Sequence, residues 1–221
     1  MASFNLRNSS HPAAYMYLHG FASSPQSTKA QFLRDRFQAL GIDLILPDLN
    51  QPDFYQLTLT RQIQQVQALL PQDVPVTLIG SSFGGLTAAW VAERCEQVER
   101  SILLAPAFQF LDQWLPRLGE AQLNQWKQQN SLQIYHYSNQ QMMLLSYEFV
   151  TDLMQYSELQ LQRPVSTLIL HGQQDEVISV QASRDFANLR SWVKLIELNS
   201  DHALTNVQDE IWQEVMQEIR N

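Results

Sequence analysis

Residues 78–86 read LIGSSFGGL. The chain has only seven glycines in 221 residues, and three of them, Gly80, Gly84 and Gly85, fall in this stretch. They bracket a pair of serines, and Gly80-Ser81-Ser82-Phe83-Gly84 matches the pattern G-x-S-x-G with Ser82 at its centre. That pattern has a mechanical basis. A nucleophile held on a sharp strand-to-helix turn presents its oxygen above a sheet. Residues two before and two after it then lie where strand and helix pass closely, and a side chain there would clash. The flanks agree: VPVTLIG (74–80) reads as a strand and FGGLTAAWVAERC (83–95) as a helix. Ser81 lacks the bracketing glycines and is the weaker candidate. The lysine of a G-x-x-x-x-G-K-[ST] phosphate loop is missing, and no G-x-G-x-x-G is present.

Outward from this turn, short apolar runs alternate with amphipathic ones. Strands are expected at 13–20, 42–49, 74–80, 98–107, 166–172 and 192–198. Helices are expected at 24–41, 59–70, 83–95, 180–190 and 204–219, the first with Ser27 as N-cap, Phe32, Leu33, Phe37 and Leu40 on one face, and Gly41 at its stop. Six strands alternating with helices predict an α/β fold: a mostly parallel six-stranded sheet with helices on both faces. Such sheets place ligands beyond the carboxyl ends of their strands. Residues 108–163 break the rhythm. They read as a mainly helical insertion, with a hairpin around Ser138-Asn139 and a helix capped by Ser146, rich in aromatic side chains. No linker or repeat divides the chain, so 1–221 is read as one domain carrying this insertion as a cap. Aromatic residues at helical spacing serve first as core.

A serine hydroxyl needs a base, and the base needs a carboxylate to hold its tautomer. In this architecture the chain order is serine, acid, histidine. His202, in ELNSDHALT after the last strand, is the expected base, whereas His171, inside a strand end, is read as supporting the turn. Asp175 in HGQQDEV is the expected acid, with Glu176 as runner-up. The developing oxyanion needs two donors. The expected pair are the backbone N–H groups of Phe83, after the nucleophile, and Phe21, in LHGFASSP (18–25). His19 is read as structural. Five of the seven glycines then sit at strand ends around one site.

Composition narrows the partners. The formal charge is −8, which argues against nucleic acid. No apolar run approaches the length of a membrane span, and the first twenty residues show no signal-peptide pattern. A single cysteine, Cys95, leaves no intramolecular disulfide and suggests a reducing compartment, so a cytoplasmic location is expected. No HExxH or similar spacing points to a metal, and no cofactor is expected.

With these residues placed, the chain resembles the α/β-hydrolase superfamily. More narrowly, YLHGFASSPQSTKA (17–30), GSSFGG (80–85) and QDEV (174–177) are similar to the small YqiA-like serine esterases. The resemblance implies a cytoplasmic esterase of poorly defined natural substrate, with Ser82, Asp175 and His202 as its triad. The aromatic cap suggests an apolar site, and small-molecule esters of short to medium acyl chain are expected. The triad alone suits a thioester or another acyl group equally well. A non-catalytic protein using the same fold as a ligand receptor is the alternative from another class.

Overall fold

The structure is a computed structural model describing residues 13–220; residues 1–12, the first part of the stretch read above for a leader, lie outside the described residues. Strands β1 (Ala14–Leu18), β2 (Leu44–Ile45), β3 (Val76–Ser81) and β4 (Val98–Leu104) are followed, after residues 108–163, by two more. The antiparallel hairpin β5 (Leu132–His136) and β6 (Gln141–Leu145) lies within those residues, and β7 (Ser166–Gly172) and β8 (Val193–Leu198) complete the main sheet. Its order is β2-β1-β3-β4-β7-β8, and every neighbouring pair is parallel.

The two-residue period of the strands divides the core into two layers. Met16, Leu18, Leu78, Leu103 and Ile169 face α2 (Leu59–Leu69), α3 (Phe83–Arg94) and α6 (Val180–Asn188). Tyr15, Tyr17, Ile79, Ile102, Leu168 and Leu170 face α1 (Thr28–Gln38) and the closing helix Gln208–Arg220. The helices start where side-chain oxygens accept orphan N–H groups: Ser27 Oγ from Ala30, Thr58 Oγ1 from Arg61 and Ser179 Oγ from Gln181.

Three elements differ most from the sequence reading in their bounds. The first helix begins at Thr28 rather than residue 24, because Ser24–Ser27 close a turn in which Ser27 N–H donates to Ser24 O. It ends at Gln38, which leaves Leu40 40% exposed rather than sharing the buried face of Phe37. The second strand shrinks to Leu44–Ile45 on the sheet edge, where Pro47 has no N–H to continue a ladder. The closing helix starts at Gln208, since Leu204 takes a left-handed φ of 55° and Thr205–Val207 form a 3₁₀ turn.

Within 108–163, α4 (Phe110–Gln129) is broken by Gly119, at φ 74° and ψ 158°, and holds Pro116. The hairpin follows, and then α5 (Glu148–Leu153), whose Glu148 N–H donates to Ser146 Oγ as expected of a cap. This segment is tied to the loop after β1 by Tyr137 N–H to Ala22 O, and to α2 by Thr60 N–H to Asp152. Its return path holds Arg163, whose guanidinium donates to the carbonyls of Ala92, Cys95, Glu96 and Val98, from the last turn of α3 to the start of β4. The final helix, Gln208–Arg220, is α6's successor, α7.

Candidate active site

Ser82 joins β3 to α3 at φ 53° and ψ −118°, a conformation that L-residues rarely hold. Four backbone hydrogen bonds lock it there. Its N–H donates to Leu104 O at 2.9 Å, and its carbonyl accepts from Gly85, Ala107 and Leu86 at 2.8–3.1 Å. The glycines are required by contact. A Cβ on Gly80 would run into the Gly84 carbonyl, and one on Gly84 into the carbonyls of Leu18 and His19. Gly20 passes Ser82 so closely that its own Cβ would lie 3.9 Å from Ser82 Oγ. The loop after β1 is therefore pressed against the serine.

The partner loops come from β7 and β8. A Cβ on Gly172 would collide with the Ser200 and Asp201 carbonyls, so the end of β7 touches the loop that carries His202. That loop is shaped by Asp201, whose Oδ1 accepts from Ala203 and Leu204 N–H. Asp201 thus turns the chain. His202 Nδ1 lies 2.7 Å from Asp175 Oδ2, and Nε2 lies 3.1 Å from Ser82 Oγ. The carboxylate can only accept, so Nδ1 carries the hydrogen and Nε2 is free to take the serine proton.

Asp175 is fully buried at its side chain. Burial by itself would push its carboxyl up. Hydrogen bonds from His171 and His202, helped by the Ile178 N–H, outweigh this and hold it well below the usual carboxylate range. Oδ1 accepts from Val177 and Ile178 N–H, both at 2.8 Å, and Oδ2 from both imidazoles. Glu176, the alternative acid, is exposed.

The sequence reading missed the part played by His171. Its Nε2 faces Asp175 Oδ2 and the Ile178 carbonyl, each at 3.0 Å, and its Nδ1 faces Ser183 Oγ at 2.7 Å. A carbonyl cannot donate, so Nε2 bears the hydrogen and the Ser183 hydroxyl donates to Nδ1. The i, i+4 spacing of His171 and Asp175 was the available signal. His19 is structural, as expected: its Nδ1 donates to Gly20 O and its Nε2 accepts from Leu49 N–H, joining the exits of β1 and β2. Ser81 points to the opposite layer, where it hydrogen-bonds the Tyr17 hydroxyl; burial pushes that phenol up to about 12.

Phe21 lies on the loop after β1 and Phe83 opens α3, both beside Ser82, and neither backbone N–H has a protein acceptor among the described residues. Their rings turn into one aromatic cluster. Phe21 meets Phe54, Phe83, Phe110, Trp114 and Phe149 at centroid distances of 5.2–6.2 Å. Most of the aromatic side chains of 108–163 are thus core. Among the described residues no group of three His, Cys, Asp or Glu could hold a metal, and no helix is long and apolar enough to cross a membrane.

The doubly wound parallel sheet, with a strained serine after β3 and its partners after β7 and β8, is the α/β-hydrolase fold. Solved structures agree. A putative hydrolase from Agrobacterium vitis superposes with a TM-score of 0.79 at 19% identity, covering 94% of this chain and 88% of that one. Est1E from Butyrivibrio proteoclasticus with bound ferulic acid gives 0.76 at 18%, over 97% and 92%. Mouse alpha/beta hydrolase domain-containing protein 10 gives 0.73 at 20%, over 93% and 90%. No curated protein matches the sequence. The chain belongs to UPF0227, described as an uncharacterised protein family, whose model matches residues 14–217.

Proposed function

We propose that this chain is a serine hydrolase of the carboxylesterase type, cleaving esters of short to medium acyl chains through an acyl-enzyme intermediate. The observation that carries the reading is the unbroken hydrogen-bonded line from Ser82 through His202 to Asp175, built on a strained turn. His202 takes the Ser82 proton as Oγ attacks the ester carbonyl. The N–H groups of Phe21 and Phe83 receive the oxyanion. His202 then protonates the leaving alcohol, and water, activated the same way, releases the acyl group. Asp175 orients His202 and stabilises its cation.

The preference for shorter chains rests on the rings around Phe21. They contact one another next to Ser82 and give the acyl part a packed aromatic surface to meet. Residues 108–163 act as the cap of one hydrolase domain spanning the chain. The single cysteine fits a cytoplasmic setting.

A fluorophosphonate probe followed by peptide mapping tests the nucleophile; the expected label is on Ser82. A series of 4-nitrophenyl esters, with matching thioesters, tests the substrate class. Ser82→Ala should lower kcat by about 10⁴-fold or more. An unlabelled Ser82, or turnover that survives Ser82→Ala, overturns the assignment. Thioesters cleaved in preference to oxygen esters would move it to a thioesterase.

A further inference from the structure

The stretch YLHGFASSPQSTKA supplies His19, Gly20 and Phe21 to the site, and Ser27 caps α1. Its lysine has no such structural task. Lys29 is the second residue of α1. A cation there opposes the positive end of the helix dipole, and the first turn of α1 holds no acidic residue to offset it. The side chain is half-buried. Among the described residues its ammonium makes no hydrogen bond and has no carboxylate within 4 Å. Residues 1–12 contain no Asp or Glu to supply one. Lys194, by contrast, is paired with Glu214 at 3.3 Å.

The carboxylates acting on Lys29 are Asp175, the hydrogen-bond partner of His202, and Asp201, its neighbour in the chain. Both have their own partners: Asp175 the two imidazoles and two N–H groups, Asp201 the Ala203 and Leu204 N–H groups. Burial lowers the Lys29 ammonium to about 8, and those two carboxylates only partly offset this. A half-buried, unpaired cation on a helix end that repels it weakens the fold. Its position beside the proposed triad points to a use during binding.

We propose that Lys29 anchors an anionic oxygen group, carboxylate or phosphate, on the substrate. This rests on the esterase reading above and narrows its substrate class. The substrate would be an ester with two unlike ends: an apolar part toward the rings of Phe21, Phe83 and Phe110 in the α3 layer, and a charged part toward α1 on the other face of the sheet. Asp201 repels such an anion, but Coulomb energy falls with distance, so the group in direct contact with Lys29 is governed by the lysine.

The test is charge selectivity. Three pairs of esters are compared: 4-nitrophenyl hemiglutarate with 4-nitrophenyl pentanoate, 3-carboxyphenyl butyrate with phenyl butyrate, and 3-phosphonooxyphenyl butyrate with phenyl butyrate. The first pair places the charge on the acyl part and the second on the alcohol, while the third exchanges carboxylate for phosphate. For at least one pair, the ratio of anionic to neutral kcat/KM should fall by about tenfold in Lys29→Met, mainly through KM, and be retained in Lys29→Arg. A role limited to tuning His202 would lower both members of a pair together. Ratios equal in wild type and Lys29→Met for every pair overturn the proposal while leaving the esterase reading intact. Calorimetric titration of Ser82→Ala, with and without Lys29→Met, using the same anionic esters decides the proposal even if the wild type cleaves none of them; that last result would sink the esterase reading instead. Lys29→Met should melt above the wild type, and Lys29→Gln serves if it does not fold.

Discussion

His171 and Asp175 are joined by a 3.0 Å hydrogen bond to the same carboxylate oxygen that receives His202. His171 is fully buried and touches Ser183 on its other side. On the proposed mechanism it is a positioning residue that acts through Asp175. His171→Leu removes a donor from a buried charge and strands the Ser183 hydroxyl. A hydrogen bond to a charged group is worth about 1.5–3 kcal/mol. The expected result is a lower melting temperature together with a fall in kcat of about tenfold or more, KM changing less. A merely structural role would lower the melting temperature and leave kcat per folded molecule intact.

Ser82 is held at φ 53°. Backbone strain of this kind costs about 1–3 kcal/mol, against roughly 0.5–1 kcal/mol for the extra chain entropy of glycine. Ser82→Gly should therefore be inactive yet more stable than Ser82→Ala. Chemical denaturation of the two variants checks it; equal midpoints would show that the turn is unstrained.

Two glycines make a controlled comparison. A Cβ at Gly84 meets the Leu18 and His19 carbonyls, whereas one at Gly119 meets nothing within 4 Å, although its φ of 74° disfavours a side chain. Gly119→Ala should cost about 1 kcal/mol. Gly84→Ala should cost several times more, on the scale of the larger single-site effects, and separate the loop after β1 from Ser82. Melting temperature and soluble yield report the difference.

Acid stability follows from Asp175. Its folded pKa is depressed below the ordinary 3.8, so its contribution is fully present above that value and is lost as the pH falls further. Below about pH 4 the unfolded chain binds a proton there that the folded chain does not. In that range this one group adds up to about 1.4 kcal/mol per pH unit to the slope of stability. Asp175→Asn should be less stable at neutral pH and show a shallower decline in acid. Urea midpoints between pH 3 and 6 measure both.

The sheet was readable because its signals are local and repeated. VTLIG and TLILHG are apolar runs long enough to be buried on both faces, and the glycines mark the bends between layers. Ser82, Asp175 and His202 were found by chain order and loop position, and the structure brings them within hydrogen-bond distance. What escaped depends on pairing across space. The second strand looked long because IDLILP is apolar, yet only Leu44 and Ile45 find partners on β1. His171 looked like a strand-end residue because its four-residue spacing from Asp175 does not by itself tell which way its ring turns. Lys29 drew no reading of its own, since the acids that act on it lie about 146 and 172 positions further along the chain.

The order β2-β1-β3-β4-β7-β8 puts the serine just past an inner strand and the histidine just past the outermost one. These two residues are 120 positions apart, and parallel pairings between distant segments form slowly. On the proposed mechanism a nascent chain carries Ser82 long before His202 is synthesised, so half-made or partly collapsed molecules should be inert toward acyl groups. Recovery of turnover during refolding would therefore time the docking of the sheet's last edge, not the appearance of the elbow.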